Sequence, residues 1–390
     1  MERLLFYSDS AEYGGHEALT VQAVQYLAAH KLEVSVVFAF YEGNERLSKR
    51  LTEIKNASGN LDLCPLKFRS RSLQPLRSLF SPWQVNTIRA AMERARPDVV
   101  VVSQGRIESG TLGLLAAKRA GLRTITYIPM AHHISVCGRP FAAGFREMVN
   151  GYFYRLPDKI ITISETARRM LLTRGIRSDV VVVPNGVEVR AGRRQERDGF
   201  RHNHGLRSED FVIATIGRID FRQKGQDFAV QTISRYRQEL VGCKFLFIGS
   251  GPDERRLQEM VADSQLQAMV RILPWTDKAP EIYSSIDMLL VPSRFEGVPL
   301  VMLEAMSRKL PIVASKVDGM AEFLPGSWLF PFGDCQALAK TVAQVKNSDN
   351  ASLLELHQKR IQVEFTTANF CAKFSRAVLA QELQHSSKLD

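Results

Sequence analysis

The 390-residue chain is poor in cysteine and has no long apolar run. Its five cysteines, Cys64, Cys137, Cys243, Cys335 and Cys371, are widely spaced and odd in number, with no CxxC pair. That excludes a disulfide framework and a cysteine-rich metal site, and it fits a reducing compartment. The longest apolar run near the start, Val34 to Tyr41, is far too short to span a bilayer. Met1-Glu2-Arg3 leads into Leu4-Leu5-Phe6 rather than a signal-type segment, so neither export nor membrane spanning is expected. The turn after the first candidate strand, Ser8 to Glu17, lacks the G-x-G-x-x-G fingerprint, which argues against an ordinary dinucleotide enzyme. No aromatic RNA-binding motif or helix-turn-helix pattern is present, so no nucleic acid is expected as a partner.

What is present is a folded composition: 45% hydrophobic, 24% charged, mean hydropathy −0.13. At roughly 100 to 200 residues per domain this length predicts two domains. The formal net charge of +11 is unevenly spread. Residues 1–190 carry 26 Lys and Arg against 17 Asp and Glu, a net +9, so the first half is the place to look for a polyanionic partner. Within it, Pro65 to Trp83 interleaves Lys67, Arg69, Arg71 and Arg77 with Leu, Phe and Trp. Such a segment suits an anionic lipid surface; the alternative is a basic loop and a core-facing helix broken by Pro75.

Short β-branched runs alternate with helical patterns along both halves. The strand-like runs are Leu4–Ser8, Val34–Phe40, Val99–Val102, Thr124–Ile128, Lys159–Ile163 and Val180–Val183, then Phe211–Ile216, Lys244–Ile248, Val270–Leu273, Asp287–Val291 and Pro311–Ala314. The alternation predicts two doubly wound parallel sheets of the α/β class. Between them, Arg190 to His204 is dense in charge and without apolar periodicity, and it reads as the interdomain linker and hinge. The expected division is 1–189 and 190–370, with the C-terminal helix, about 371–390, returning to the first domain.

Three constellations carry chemistry. Gly14-Gly15, between a strand and a helix, would let backbone amides approach a ligand at a positive helix end, or simply make a tight turn. Gly217-Arg218 leaves a strand and Lys224-Gly225 opens the next helix, so two cations can converge on one mouth of the sheet and neutralise a diphosphate. The segment Pro292 to Met306 places Glu296 in a loop, the free amides of Gly297, Val298 and Leu300 around a helix start where the missing N–H of Pro299 costs little, and Glu304 further along that helix. One carboxylate would bind sugar hydroxyls and the other a ribose, with phosphates between them.

Glu296 through Glu304 resembles the E-x7-E motif of the retaining glycosyltransferases of family 4, which have the GT-B fold. Gly14-Gly15, Pro184-Asn185-Gly186-Val187, Gly217-Arg218 with Lys224-Gly225, Gly249-Ser250-Gly251 and Pro311-Ile312-Val313-Ala314 extend the resemblance, in order, over nearly the whole chain. It implies two Rossmann-like domains facing across a cleft, and metal-independent, retaining transfer of a hexose-type sugar from a nucleoside diphosphate to a hydroxyl of a glycan or lipid-linked acceptor. Arg218 and Lys224 would stabilise the diphosphate, with Gly15 approaching it from the other domain. Glu296 would hold the donor sugar, Glu304 the ribose, and the stretch around Leu273 would lie near the base. The family's histidine near the sugar falls on His132 or His133, with His132 preferred as nearer the strand end. No cofactor and no metal are implied. The expected location is cytoplasmic, with peripheral attachment to the inner face of the membrane through the basic segment. A non-catalytic sugar-nucleotide scaffold or sensor and a nucleotide-sugar epimerase are the alternative readings.

Overall fold

The structure, a computed structural model, describes residues 2–30, 33–137, 142–188, 194–276 and 279–379. The chain divides into two compact units, one running to Gly186 and taken up again from Thr367, the other Val187–Thr366.

The first unit is a seven-stranded parallel sheet of β1 (Glu2–Ser8), β2 (Val34–Tyr41), β3 (Leu61–Leu66), β4 (Val99–Ser103), β5 (Arg123–Tyr127), β6 (Lys159–Thr162) and β7 (Asp179–Val182), in the order β3-β2-β1-β4-β5-β6-β7. Leu5 lies between Val37 and Val100 on one face and Leu4 between Val36 and Val99 on the other, all six buried, so the central strands are apolar on both faces, as a sheet covered by helices requires. β3 is absent from the sequence expectation, because Asp62 and Pro65 make it read as loop. It pairs only with β2, and an edge strand tolerates the missing amide of Pro65. The helix Thr367–Leu379 packs on the helix Gly15–His30 and buries Phe370 and Phe374. The ring of Phe374 lies 6.5 Å from Phe6 and 5.5 Å from Tyr127. The C-terminal helix therefore does return to the first unit; the part expected beyond Leu379 lies outside the described residues.

The second unit is a six-stranded parallel sheet of β8 (Phe211–Ile216), β9 (Cys243–Ile248), β10 (Val270–Leu273), β11 (Met288–Val291), β12 (Ile312–Ser315) and β13 (Leu329–Phe330), in the order β10-β9-β8-β11-β12-β13. In each sheet the strand order reverses once, between β1 and β4 and between β8 and β11. The carboxyl ends of such strands form the crevice in which doubly wound sheets bind ligands.

The polar stretch read as a hinge is corrected by the structure. Arg194–Asn203 is a helix of the second unit, packed on the helix Ala279–Ser285. Its anchor is polar: buried Arg201 donates to the carbonyls of Ser285 (2.9 Å) and Asp210 (3.1 Å) and pairs with Asp287 at 2.6 Å. A guanidinium bound to carbonyls leaves no apolar period for the sequence to display. The preceding part of that stretch, 190–193, lies outside the described residues.

Candidate functional site

The site of the second unit lies where β8 and β11 end. After β8 the chain passes through Gly217 and Arg218 into the short helix Phe221–Lys224, capped by Asp220, whose carboxylate accepts the Arg222 amide at 3.1 Å. Gly225 ends it at φ +66°, and a Cβ there would stand 2.0 Å from the Pro292 carbonyl oxygen. Glycine is thus what lets the loop carrying Lys224 press against the loop leaving β11. Arg294 locks the same junction, with a bidentate pair to Asp227 (2.8 Å for both bonds), a bond to the Phe221 carbonyl, and its guanidinium over Phe332 at 4.9 Å.

This docking brings Lys224 Nζ to 2.6 Å from Glu296 Oε1. Ser293 Oγ donates to the same oxygen at 2.9 Å, and the Glu296 amide donates to Asp318 at 3.0 Å. Glu296 is buried, so its carboxylate depends on these partners. The Asp318-Gly319 turn fits closely because Gly319 lacks a Cβ, which would lie 2.4 Å from the Gly297 oxygen. Arg218 is half exposed on the same loop as Lys224, with a carboxylate oxygen of Asp220 at 3.9 Å.

Pro299 is the N-cap of the helix Leu300–Ser307, and no side chain caps it among the described residues. The positive end of this helix, beginning at Leu300, is therefore open to an anion in the sense expected for Gly297 to Leu300. Glu304 is one turn further along. Its carboxylate accepts the Tyr283 hydroxyl at 2.5 Å, and Arg308 lies over the Tyr283 ring at 4.7 Å. Burial pushes the Glu304 carboxyl above its usual range, with the Tyr283 hydroxyl and Arg308 acting in the opposite direction. Tyr283, Ser293 and Asp318 escaped the sequence reading, since nothing in their local spacing shows which distant carboxylate or amide they meet.

If Tyr283 orients Glu304, Tyr283→Phe loses one hydrogen bond to a charged group. We expect a roughly 10-fold rise in donor KM with kcat little changed. Steady-state kinetics with varied donor checks this, and an equal fall in kcat would count against an orienting role.

A cavity of about 600 Å³ lies beside the ends of β9 and β10, against the helices Arg194–Asn203 and Ala279–Ser285. Leu273, expected near a base, lines it with Pro274, Ile248, Phe200 and His204. The rings of Phe200 and His204 lie 4.4 Å apart, tilted at 51°, and burial, with Arg271, pushes the His204 ring below its usual value. A cavity of this size, with apolar and aromatic walls and polar groups from Asn203, Thr276 and Glu281, suits a flat heterocycle with hydrogen-bonding edges.

In the first unit, Gly14 and Gly15 lead into the helix Gly15–His30. The Gly14 amide donates to Glu17 Oε2 at 2.8 Å, and His16 Nε2 lies 2.8 Å from Glu17 Oε1. The carboxylate thus closes back on the helix start in the manner of a capping box. Burial would raise its pKa, but His16 and hydrogen bonds from Ser10 and Gly14 hold it below the usual carboxylate value. Because the folded-state pKa is depressed, its stabilisation is present above the unfolded-state pKa and is lost as pH falls through the folded-state one. Glu17→Gln should therefore lower the melting temperature at neutral pH, with the gap to wild type closing in acid; a gap constant with pH would contradict the pairing.

His133 is exposed, its Nδ1 2.7 Å from Ser135 Oγ and its Nε2 3.6 Å from Glu147. His132, half-buried, follows Ala131 in the loop after β5. Lys67, Arg69, Arg71 and Arg77 are all exposed. Among the described residues no helix is long and apolar enough to cross a membrane.

Residues 13–191 match the model described as Glycosyltransferase Family 4, and residues 210–348 the model described as Glycosyl transferases group 1. Among curated proteins, WcaL of Escherichia coli is 23% identical over 337 residues, 77% of this chain and 79% of WcaL. The amylovoran biosynthesis glycosyltransferase AmsD of Erwinia amylovora is 25% identical over 57% of this chain and 60% of AmsD. Among solved structures, HepE of Anabaena in complex with UDP-glucose superposes with a TM-score of 0.78 at 16% identity, covering 96% of this chain and 99% of HepE. The lipopolysaccharide outer core galactosyltransferase WaaB superposes with a TM-score of 0.67 at 17% identity, covering 97% and 99%. The architecture is thus that of GT-B proteins.

Proposed function

The chain belongs to glycosyltransferase family 4, and from that premise we propose that it moves a hexose-type sugar from a nucleoside diphosphate sugar to a hydroxyl of a glycan or lipid-linked acceptor, in the building of a surface polysaccharide or glycolipid. The observation that carries the donor assignment is the convergence of Lys224 and Glu296, 2.6 Å apart, at the strand-order reversal and beside the start of the helix Leu300–Ser307. In this reading the diphosphate sits at that helix end with Arg218 and Lys224, Glu296 takes the sugar hydroxyls, and Glu304 takes the ribose hydroxyls. The base enters the cavity beside Leu273, and His132 is the histidine assigned to the donor sugar.

Glu296 is engaged by Lys224 and Ser293, and Glu304 by Tyr283, so both read as holders of hydroxyls rather than as two carboxyl groups flanking one bond. Transfer then proceeds on one face. The bond from the anomeric carbon to the diphosphate breaks, the acceptor oxygen bonds from the same side, and a diphosphate oxygen takes the acceptor proton. The anomeric configuration is retained, and Arg218 and Lys224 stabilise the charge that grows on the leaving group. With two side-chain cations in that role the reaction needs no metal, and EDTA should leave the rate unchanged.

The basic segment with Lys67, Arg69, Arg71 and Arg77 would attract an anionic membrane, holding the enzyme on the inner face near a lipid-linked acceptor. The donor assignment is tested by thermal shift with UDP, GDP, ADP and their sugar conjugates, since a ligand binding only the folded state raises its stability. A shift with one nucleotide, lost in Glu304→Ala, supports it. No shift with any would move the scaffold reading to the front.

A further inference from the structure

Two neighbouring helices of the first unit turn large apolar side chains to the solvent while burying polar ones. The helix Gln74–Leu79 buries Gln74 and Ser78: Gln74 Nε2 donates to Ser78 Oγ at 3.1 Å, which lies 2.9 Å from Thr111 Oγ1. With the polar edge fixed inward, Leu79 and the following Phe80 face solvent, Phe80 being 78% exposed and Trp83 70%. The helix Ala143–Tyr154 packs against the first. It buries Phe153 and Tyr154 in the core together with Asn150 and Arg146, the latter paired with Glu108, and yet Phe145, Met148 and Tyr152 form an exposed stripe in which Met148 is 67% exposed. With its core side already supplied by Phe153 and Tyr154, this outward apolar stripe has no part in holding the fold. Exposed apolar groups gathered in this way mark a contact surface.

The surrounding charge says what is contacted. From Leu63 to Met92 there is no Asp or Glu, whereas Lys67, Arg69, Arg71, Arg77 and Arg89 are present. The carboxylate within the second helix, Glu147, is turned inward, accepting the Ile134 amide at 2.7 Å. A second copy of the chain docked through this face would set cations against cations. A bilayer carrying anionic lipid meets both features, because apolar tips enter the acyl boundary while guanidinium and ammonium groups stay with the phosphates.

We propose that Leu79, Phe80, Trp83, Phe145, Met148 and Tyr152 insert into an anionic bilayer, with Lys67, Arg69, Arg71 and Arg77 holding the headgroups. This rests on the membrane reading given above and deepens it: that reading asks only for a basic segment lying on the surface, whereas here apolar side chains of that segment and of a second helix enter the membrane.

The test is flotation of the full chain with vesicles of phosphatidylcholine, with and without phosphatidylglycerol. It is read beside the emission of Trp83 in a Trp275→Phe background, where the remaining Trp328 is buried. The expected result is flotation with the mixed vesicles, a blue shift of Trp83, and about 10-fold weaker partition for each of Phe80→Ser/Trp83→Ser and Phe145→Ser/Met148→Ser. All four positions are exposed, so these variants retain the core. If the serine variants float as well as wild type and Trp83 emission is unmoved, insertion is overturned while the electrostatic reading stands. If the chain floats with neither vesicle, both fail. A concentration-dependent dimer in light scattering, lost in Phe80→Ser/Trp83→Ser, would assign the face to a second copy and overturn the proposal.

Discussion

Replacing Glu304 by glutamine is expected to weaken donor binding about 10- to 100-fold, the loss of hydrogen bonds made by a charged acceptor, while leaving the melting temperature unchanged or raising it. The two halves of this expectation have one cause. Burial holds the Glu304 carboxyl above its usual range. The folded-state pKa therefore exceeds the unfolded one, and the stability linked to this group is present in acid and lost as pH rises through the folded-state value. Glutamine imitates the protonated form at every pH and can still accept the Tyr283 hydroxyl. The stability of wild type relative to Glu304→Gln should thus fall as pH rises out of the acid range. A carboxylate retained at a cost to the fold is what a binding role predicts. Titration of nucleotide binding beside thermal melts checks both halves, and a variant that loses stability at neutral pH but binds normally would reassign Glu304 to structure.

Removing the Lys224 ammonium should lower kcat by about 100- to 1000-fold, the range seen when one preorganised group stabilising transition-state charge is deleted. Lys224→Ala also strands the buried Glu296 carboxylate, which costs stability in its own right, on the order of 3 to 5 kcal/mol when a buried pair is broken from one side. Two comparisons separate these effects. Lys224→Met with Glu296→Gln removes both charges and should regain stability without regaining activity. Arg218→Gln changes a half-exposed side chain 3.9 Å from Asp220 and should also lose kcat, with a melt run beside the rate to separate that loss from any change in the fold. Near-normal turnover in the folded Lys224 double variant would remove Lys224 from the reaction.

Much of the fold was legible because each strand carries its signal locally. Runs such as Val99–Ser103 and Phe211–Ile216 are buried on both faces of a parallel sheet and read as short apolar blocks. Where the signal was polar or brief it failed. β3 contains Pro65 and Asp62, β13 has two residues, and the helix Arg194–Asn203 owes its place to Arg201 on carbonyls and Asp287 rather than to an apolar stripe.

The same division runs through the site. Residue type and spacing alone determined the Glu296 to Glu304 interval, the glycines at 217 and 225, the cations at 218 and 224, and the alternation that lays them at strand ends. Each is local along the chain. Tertiary structure alone decided that Lys224 meets Glu296, 72 residues apart, and that Tyr283 meets Glu304 and Asp318 the Glu296 amide. It also decided which faces of the helices Gln74–Leu79 and Ala143–Tyr154 turn outward. Those outcomes depend on which surfaces meet when sheet and helices pack, and no single window of sequence contains both surfaces.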